Sequence, residues 1–200
     1  QIVELMGQYG FDVLPYYEYS GSKGQESLGN KRLAKPLTRD DAYTHIKWIE
    51  SSNADLTDPA TYDDFKKMID LTVINLQDKA KFVGVWLRNR QQMPISFGPG
   101  ALARFGTEAN QGVTPTRDQI KADKKLYDRY LRWWETKRRD FLVAMRDYMR
   151  EKGIADAQVL FTGEPGEPGV GFGSWDARFV TDRPDLWKPI LAKAPHTGDD

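Results

Sequence analysis

Residues 82–87 (FVGVWL) form a continuous apolar run, and this run restricts the possible folds more than any other feature of the chain. A strand that is apolar at nearly every position is typical of a parallel sheet with both faces covered. Residues 157–162 (AQVLFT), the aromatic residues 11–19 and the alternating residues 43–50 predict three further strands. Pro15 is expected near the carboxyl end of its strand, because proline disrupts a central strand. The sequence therefore predicts an α/β protein.

Helical patterns separate these strands. Asp58 as N-cap and Pro59 at the first helical position predict the start of one helix. Thr116 and Gln119 match a capping box, which opens the longest helix. In this helix the charged run around Arg138, interleaved with Glu135, is expected to face solvent. The predicted helices cover residues 2–10, 59–79, 101–108 and 116–153.

Strands that alternate with helices indicate βα units and a mainly parallel sheet. An open, doubly wound sheet and a (β/α)8 TIM barrel both fit this order. Neither of the glycine-rich phosphate-binding motifs of open nucleotide-binding sheets, GxGxxG or GxxxxGK[ST], occurs in the expected place. Long aromatic and charged segments instead follow the strands, where a barrel builds its active site. We therefore predict a fold of the (β/α)8 TIM-barrel type.

The length of 200 residues is short for this fold, which typically needs about 250 residues. We expect an incomplete barrel or a fragment of a larger chain, so the rest of a larger polypeptide is one expected partner. Residues 1–165 would form the partial barrel. Residues 166–200, rich in glycine and proline, would form a loop with about one helical turn, or would continue the same barrel.

Composition excludes several functions. Lysine plus arginine and aspartate plus glutamate both number 29, and a net charge of zero argues against a nucleic-acid partner. No apolar run approaches the roughly 20 residues of a membrane span. With no cysteine and two histidines, we expect no transition-metal site and no cofactor. The compartment stays open, with an extracellular or periplasmic location favoured.

Acidic and aromatic residues follow the predicted strands. Hydrolysis of a sugar polymer needs one carboxyl group that protonates the leaving oxygen and a second that attacks or activates water. Aromatic rings offer flat platforms for sugar rings. The candidate catalytic residues are Glu164, Glu50 and Glu18. The candidate substrate-binding residues are Tyr17, Trp48, Trp86, Arg88, Asn89 and Trp175. Each carboxylate has a plainer alternative as a solvated or hydrogen-bonded surface group.

Five segments resemble glycoside-hydrolase barrels related to families 10 and 42: residues 9–18 (YGFDVLPYYE), 82–88 (FVGVWLR), 93–97 (MPISF), 102–105 (LARF) and 130–141 (YLRWWETKRRDF). The resemblance extends over most of residues 5–165 and implies cleavage of O-glycosidic bonds in a polysaccharide or glycoconjugate. Many barrels of this group carry Asn-Glu at the end of the fourth strand, with the glutamate as the acid. Here Asn89 is followed by Arg90.

This departure leaves several functions open. Another carboxylate, such as Glu50 or Glu164, could supply the acid of a glycosidase. Alternatively, the chain is a non-catalytic carbohydrate-binding or structural barrel within a larger assembly. A doubly wound enzyme acting on a small molecule is a third interpretation. Arg88 and Arg90 would suit a sulfated or uronic-acid substrate, because guanidinium groups bind such anions through paired hydrogen bonds.

Overall fold

The computed structural model describes residues 1–17, 34–37, 54–87, 95–161, 184–192 and 197–199. The helices are α1 (Ile2–Gln8), α2 (Pro59–Thr72), α3 (Pro99–Ala109), α4 (Arg117–Ala122), α5 (Lys124–Glu151) and α6 (Pro184–Leu191), with a 3₁₀ helix at Ile74–Leu76. The strands are β1 (Asp12–Val13), β2 (Tyr16–Tyr17), β3 (Lys81–Phe82), β4 (Gly84–Leu87), β5 (Gln158–Phe161) and β6 (Thr197–Asp199).

All the described strands are parallel. One sheet has the order β2-β4-β5-β6, and β1 pairs with β3 in a second, two-stranded sheet. The prediction of a (β/α)8 TIM barrel, complete or partial, is wrong, because these small sheets form no closed barrel within the described ranges. Open and closed parallel sheets share the alternation of strands and helices on which the prediction relied. The predicted strand at residues 43–50 lies outside the described residues.

Two predicted helix starts are confirmed. The Asp58 carboxylate accepts a hydrogen bond from the Ala60 amide at 3.0 Å, with Pro59 at the first helical position. Thr116 and Gln119 form both bonds of the capping box, at 2.8 and 3.2 Å.

The predicted single helix from residue 116 to 153 is instead two helices. Asp123 adopts an extended conformation between α4 and α5. Its carboxylate accepts hydrogen bonds from the amides of Lys125 and Leu126, at 2.8 and 3.2 Å. Aspartate competes in this way with the helical backbone, so an apolar stripe can continue across a break.

The core lies between the helices and one face of the four-stranded sheet. Phe141, near the middle of α5, makes edge-to-face contacts with Tyr62 and Phe65 of α2 at 5.1 and 5.2 Å between ring centroids. The alternate residues of β4 and β5 that are fully buried are Val85, Leu87, Val159 and Phe161. The helix α6 and strand β6 fall in the segment expected to be mostly loop. The buried residues Leu186, Trp187 and Leu191 give α6 an apolar side that packs on α5.

None of the helices in the described ranges has the length and apolar character needed to cross a membrane.

Candidate functional site

Ligands of open parallel sheets bind outside the carboxyl ends of the strands, which makes this edge the first place to look for a site. Tyr17, Leu87 and Phe161 end β2, β4 and β5 and are aligned in register. Tyr16, Trp86 and Leu160 form the preceding row. Because successive side chains of a strand point to opposite faces, these two rows lie on opposite faces of the sheet.

The row that ends the strands faces the helices. Tyr17 is buried, and its hydroxyl group shares a hydrogen bond with Thr72 of α2. Burial raises the pKa of Tyr17 to about 12, against a smaller opposing effect of the bond to Thr72. These contacts give Tyr17 a packing role between β2 and α2.

The other row carries accessible aromatic rings. Tyr16 is 44% exposed, and Trp86 and Leu160 are half-buried. The rings of Tyr16 and Trp86 meet edge to face with 4.8 Å between their centroids. A parallel sheet normally covers both faces, so accessible aromatic side chains on one of them are a candidate binding surface. We call Tyr16 and Trp86 the aromatic pair.

An ion pair lies behind the same edge, on the helix side. Arg138 Nε is 3.0 Å from Glu135 Oε2, and both side chains are at least nine-tenths buried. The guanidinium also lies over the ring of Phe161 at 4.9 Å and over those of Trp134 and Trp187 at 5.7 Å. The prediction that Arg138 and Glu135 face solvent is therefore wrong. Cation–π contacts with three rings link α5, β5 and α6 at the edge of the sheet.

A second polar cluster lies nearer the start of α5. The chain leaves α5 to enter β5, and Arg138 contacts the last residue of β5, so earlier residues of α5 extend beyond the carboxyl edge. Tyr130 precedes Arg138 by eight positions, about 12 Å along a helix. Its hydroxyl group donates a hydrogen bond to the Ser96 carbonyl, and its ring stacks on Phe97 at 4.7 Å. Complete burial raises the pKa of Tyr130 well above its ordinary value, and the charge of Asp55 adds to the effect.

Asp55 in this cluster connects α3 to the segment that leads into α2. Arg104 Nη2 of α3 donates to Asp55 Oδ2 at 2.9 Å, and Arg104 Nε donates to Thr57 Oγ1 at 3.1 Å. Asp55 Oδ1 accepts from the amide and the hydroxyl of Thr57 at 2.9 and 2.7 Å. All these bonds are between protein groups, so the cluster is a structural connection between α3 and the segment that leads into α2.

The structure describes two of the predicted site residues, Tyr17 and Trp86, and brings them to neighbouring strands on opposite faces. The others lie outside the described residues and stay predictions: Glu18, Glu50, Glu164, Trp48, Arg88, Asn89 and Trp175. Tyr16 was not predicted as a site residue. Its period-two relation to buried Tyr17 is the signal that could have found it. Within the described ranges, no group of three or more histidine, aspartate and glutamate side chains could hold a metal ion.

Comparison with known protein families, characterised proteins and solved structures finds no match. The resemblance to glycoside hydrolases therefore gains no support from outside this sequence, and function rests on the chemistry of the site.

Proposed function

We propose that the chain binds a carbohydrate on the sheet face that carries the aromatic pair. The supporting observation is the accessibility of this pair: Tyr16 is 44% exposed beside half-buried Trp86, one residue before the carboxyl ends of their strands. Removing large apolar side chains on a sheet face from water is favourable, and burial of about 100 Å² of ring surface contributes roughly 2–3 kcal/mol. A bound sugar ring would bury this surface.

The chemistry of the pair suits a sugar. A pyranose ring presents apolar C–H groups on its faces and hydroxyl groups on its rim, so it needs an apolar platform beside polar groups. The edge-to-face arrangement gives two ring surfaces in different orientations, with 60° between their planes. The Tyr16 hydroxyl adds a group that both donates and accepts hydrogen bonds. The arrangement therefore favours a polysaccharide or glycoconjugate over a purely apolar ligand.

Hydrolysis of O-glycosidic bonds is the second candidate function, and the strand order favours it. β4 lies between β2 and β5, so the last residues of those two strands, Tyr17 and Phe161, end about 10 Å apart. Glu18 follows Tyr17 directly in sequence, and Glu164 follows Phe161 by three positions. Inverting glycosidases hold their carboxyl groups about 6.5–9.5 Å apart and retaining ones about 5–5.5 Å. Paired-carboxylate chemistry is therefore compatible with these strand positions.

Affinity electrophoresis against neutral and acidic polysaccharides tests the binding proposal. We expect Tyr16→Ala to raise the dissociation constant obtained from the retardation about tenfold, since loss of a stacking ring removes about 1–2 kcal/mol of binding free energy. Tyr9→Ala is the matched control, because Tyr9 is a 73% exposed tyrosine at the C-cap of α1. If no polysaccharide binds, or both variants lose affinity equally, the aromatic pair is not a glycan site.

Release of reducing ends from the bound polysaccharide tests the hydrolysis candidate. Glu18→Gln and Glu164→Gln would each abolish release while leaving retardation unchanged, because an amide keeps the shape but cannot donate or accept the catalytic proton. Binding without release from the unaltered protein would favour a non-catalytic carbohydrate-binding role. Full release from both variants would contradict the assignment of these two carboxylates.

A further inference from the structure

A groove runs between the turn after α3 and the start of α5. Its cavity volume is about 380 Å³, within the range of small ligand sites. The apolar lining comes from Val113, Pro115, Ala122 and Leu126, of which Pro115 and Leu126 are buried and Val113 is 64% exposed. The polar lining comes from Asn110, Gln119, Asp123 and Arg129.

The guanidinium of Arg129 is held in place at this groove. Arg129 Nη2 donates to Asn110 Oδ1 at 2.7 Å, and Asn110 Nδ2 donates to the Val113 carbonyl at 2.6 Å. The turn itself is fixed against α3, because a Cβ atom on Gly106 would approach Thr114 Cα to 2.8 Å. Arg129 is thus oriented before any ligand arrives, which lowers the entropy that binding must overcome.

Arg129 keeps most of its hydrogen-bonding capacity for a ligand. It uses one of five N–H donors on Asn110, and no carboxylate in the described ranges forms an ion pair with it. Lys125 and Arg132 lie four positions before and three after Arg129, on the same side of α5, and both are exposed. Neither has an ion-pair partner among the residues that the structure describes. This side of the helix therefore presents three cations, together with Asp128, whose carboxylate pairs with Lys124 at 2.7 Å.

The acidic side chain at the groove does not cancel this charge. Asp123 Oδ1 accepts hydrogen bonds from two amides at the start of α5, which fixes its carboxylate toward the helix end. Asp123 precedes Arg129 by six positions, about 9 Å along the helix. An anion would therefore bind at the Arg129 end of the groove.

We propose that this groove binds an acidic peptide segment of a partner protein, with an aliphatic side chain against Val113, Pro115 and Leu126 and carboxylates on Lys125, Arg129 and Arg132. The apolar lining contains no aromatic ring, which favours aliphatic peptide side chains over sugar rings as its occupant. Charge complementarity supplies the orientation, because an Arg–carboxylate pair is directional and stronger than a neutral hydrogen bond. This site is independent of the aromatic pair.

Fluorescence anisotropy with the full chain tests the proposal, using a fluorescein-labelled peptide of alternating leucine and glutamate as the probe. We expect Arg129→Glu to raise the dissociation constant by at least about tenfold, since it removes a charge-assisted pair and adds repulsion. Arg132→Glu, which does not touch the groove's turn, should raise it about threefold to tenfold. Lys67→Glu on α2 is the matched control, because Lys67 is 60% exposed and far from the groove in sequence.

Val113→Asn separates the apolar contact from the charges, because it leaves all three cations in place and adds no charge, and it should also weaken binding about tenfold. The proposal is overturned if the peptide does not bind, if Lys67→Glu weakens it as much as Arg129→Glu, or if Val113→Asn leaves affinity unchanged. It is likewise overturned if a polyuronate competes for Arg129 while the peptide does not, since the groove would then take an acidic glycan.

Discussion

Gly84 begins β4, two residues before Trp86, and it pairs with Gln158 of β5. A Cβ atom at this position would lie 1.9 Å from the Gln158 carbonyl oxygen, where real Cβ atoms keep more than 3.0 Å. The φ angle of Gly84 is also +141°, a conformation that L-residues rarely adopt. Gly84→Ala must therefore both strain the backbone and push two paired strands apart.

The cost follows from these two effects. Strain at such a backbone position contributes about 1–3 kcal/mol. Moving the Gln158 carbonyl by more than 1 Å weakens about two hydrogen bonds between β4 and β5, at about 1 kcal/mol each. We expect Gly84→Ala to lower the free energy of unfolding by about 3–5 kcal/mol. With an m-value of about 2 kcal/mol/M in urea, the midpoint of unfolding would fall by about 2 M.

Two other glycines separate the causes. Gly10 has a φ of +71°, and a Cβ atom added there would have nothing within 4 Å. Gly10→Ala therefore tests backbone strain alone and should lower the free energy of unfolding by about 1 kcal/mol. In Gly7→Ala the added Cβ would lie 1.9 Å from the Lys79 carbonyl oxygen. Because α1 has no buried residue, this variant should release α1 with little effect on global unfolding.

Urea unfolding followed by tryptophan fluorescence gives the free energy of each variant, and hydrogen exchange of the α1 amides reports its release. If Gly84→Ala unfolds within about 0.5 M of the unaltered protein, the close approach of β4 and β5 is refuted. Equal losses in Gly84→Ala and Gly10→Ala would instead attribute the whole effect to the backbone angle.

Two further predictions concern the helix side of the sheet. Burial raises the pKa of Tyr17 to about 12, so the hydroxyl group ionises first in the unfolded state and the free energy of unfolding should fall between pH 10 and 12, by up to about 3 kcal/mol from this group. In Tyr17→Phe the free energy of unfolding should fall less steeply over this pH range. An unchanged slope would contradict the burial of the hydroxyl group. Arg138→Met should lower the free energy of unfolding by about 3–5 kcal/mol, because it removes the guanidinium that faces buried Glu135. Arg138→Met combined with Glu135→Leu should lower it by only about 1–2 kcal/mol. Additive losses in a double-mutant cycle measured by urea unfolding would show that the two charges are not coupled.

The parts of the fold that local chemistry determines could be predicted from the sequence. Asp58 with Pro59 and Thr116 with Gln119 mark helix starts because short-range hydrogen bonds decide them. The apolar run at residues 82–87 indicated one parallel strand. The structure divides this run between β3 and β4, and β4 is paired on both sides by parallel strands. Closure of the sheet could not be predicted in this way. It depends on strand number and stagger, which are properties of the whole sheet rather than of any segment.

The candidate site likewise combines a residue that the local sequence predicts with contacts that depend on the whole fold. Trp86 was predicted from its place near the end of an apolar strand, but the pairing that puts Tyr16 beside it depends on register between segments 70 positions apart. The burial of Arg138 likewise depends on Phe161 and Trp187, which reach it from β5 and α6. A sequence-local rule assigns a charged helical residue to solvent because an isolated buried charge is costly. Three aromatic rings and Glu135 change that balance only after the chain has folded.

The two faces of the sheet therefore have different consequences for function. On the helix side, Tyr17, Leu87 and Phe161 are buried against α2, α5 and α6, so substitutions there act through stability. On the other side, Tyr16 stays 44% exposed although it pairs in register with Trp86. Because successive strand residues alternate between these faces, moving the register of β2 by one residue would bury Tyr16 and expose Tyr17. The parallel pairing that stabilises the core thus also fixes which aromatic residue is available to a ligand.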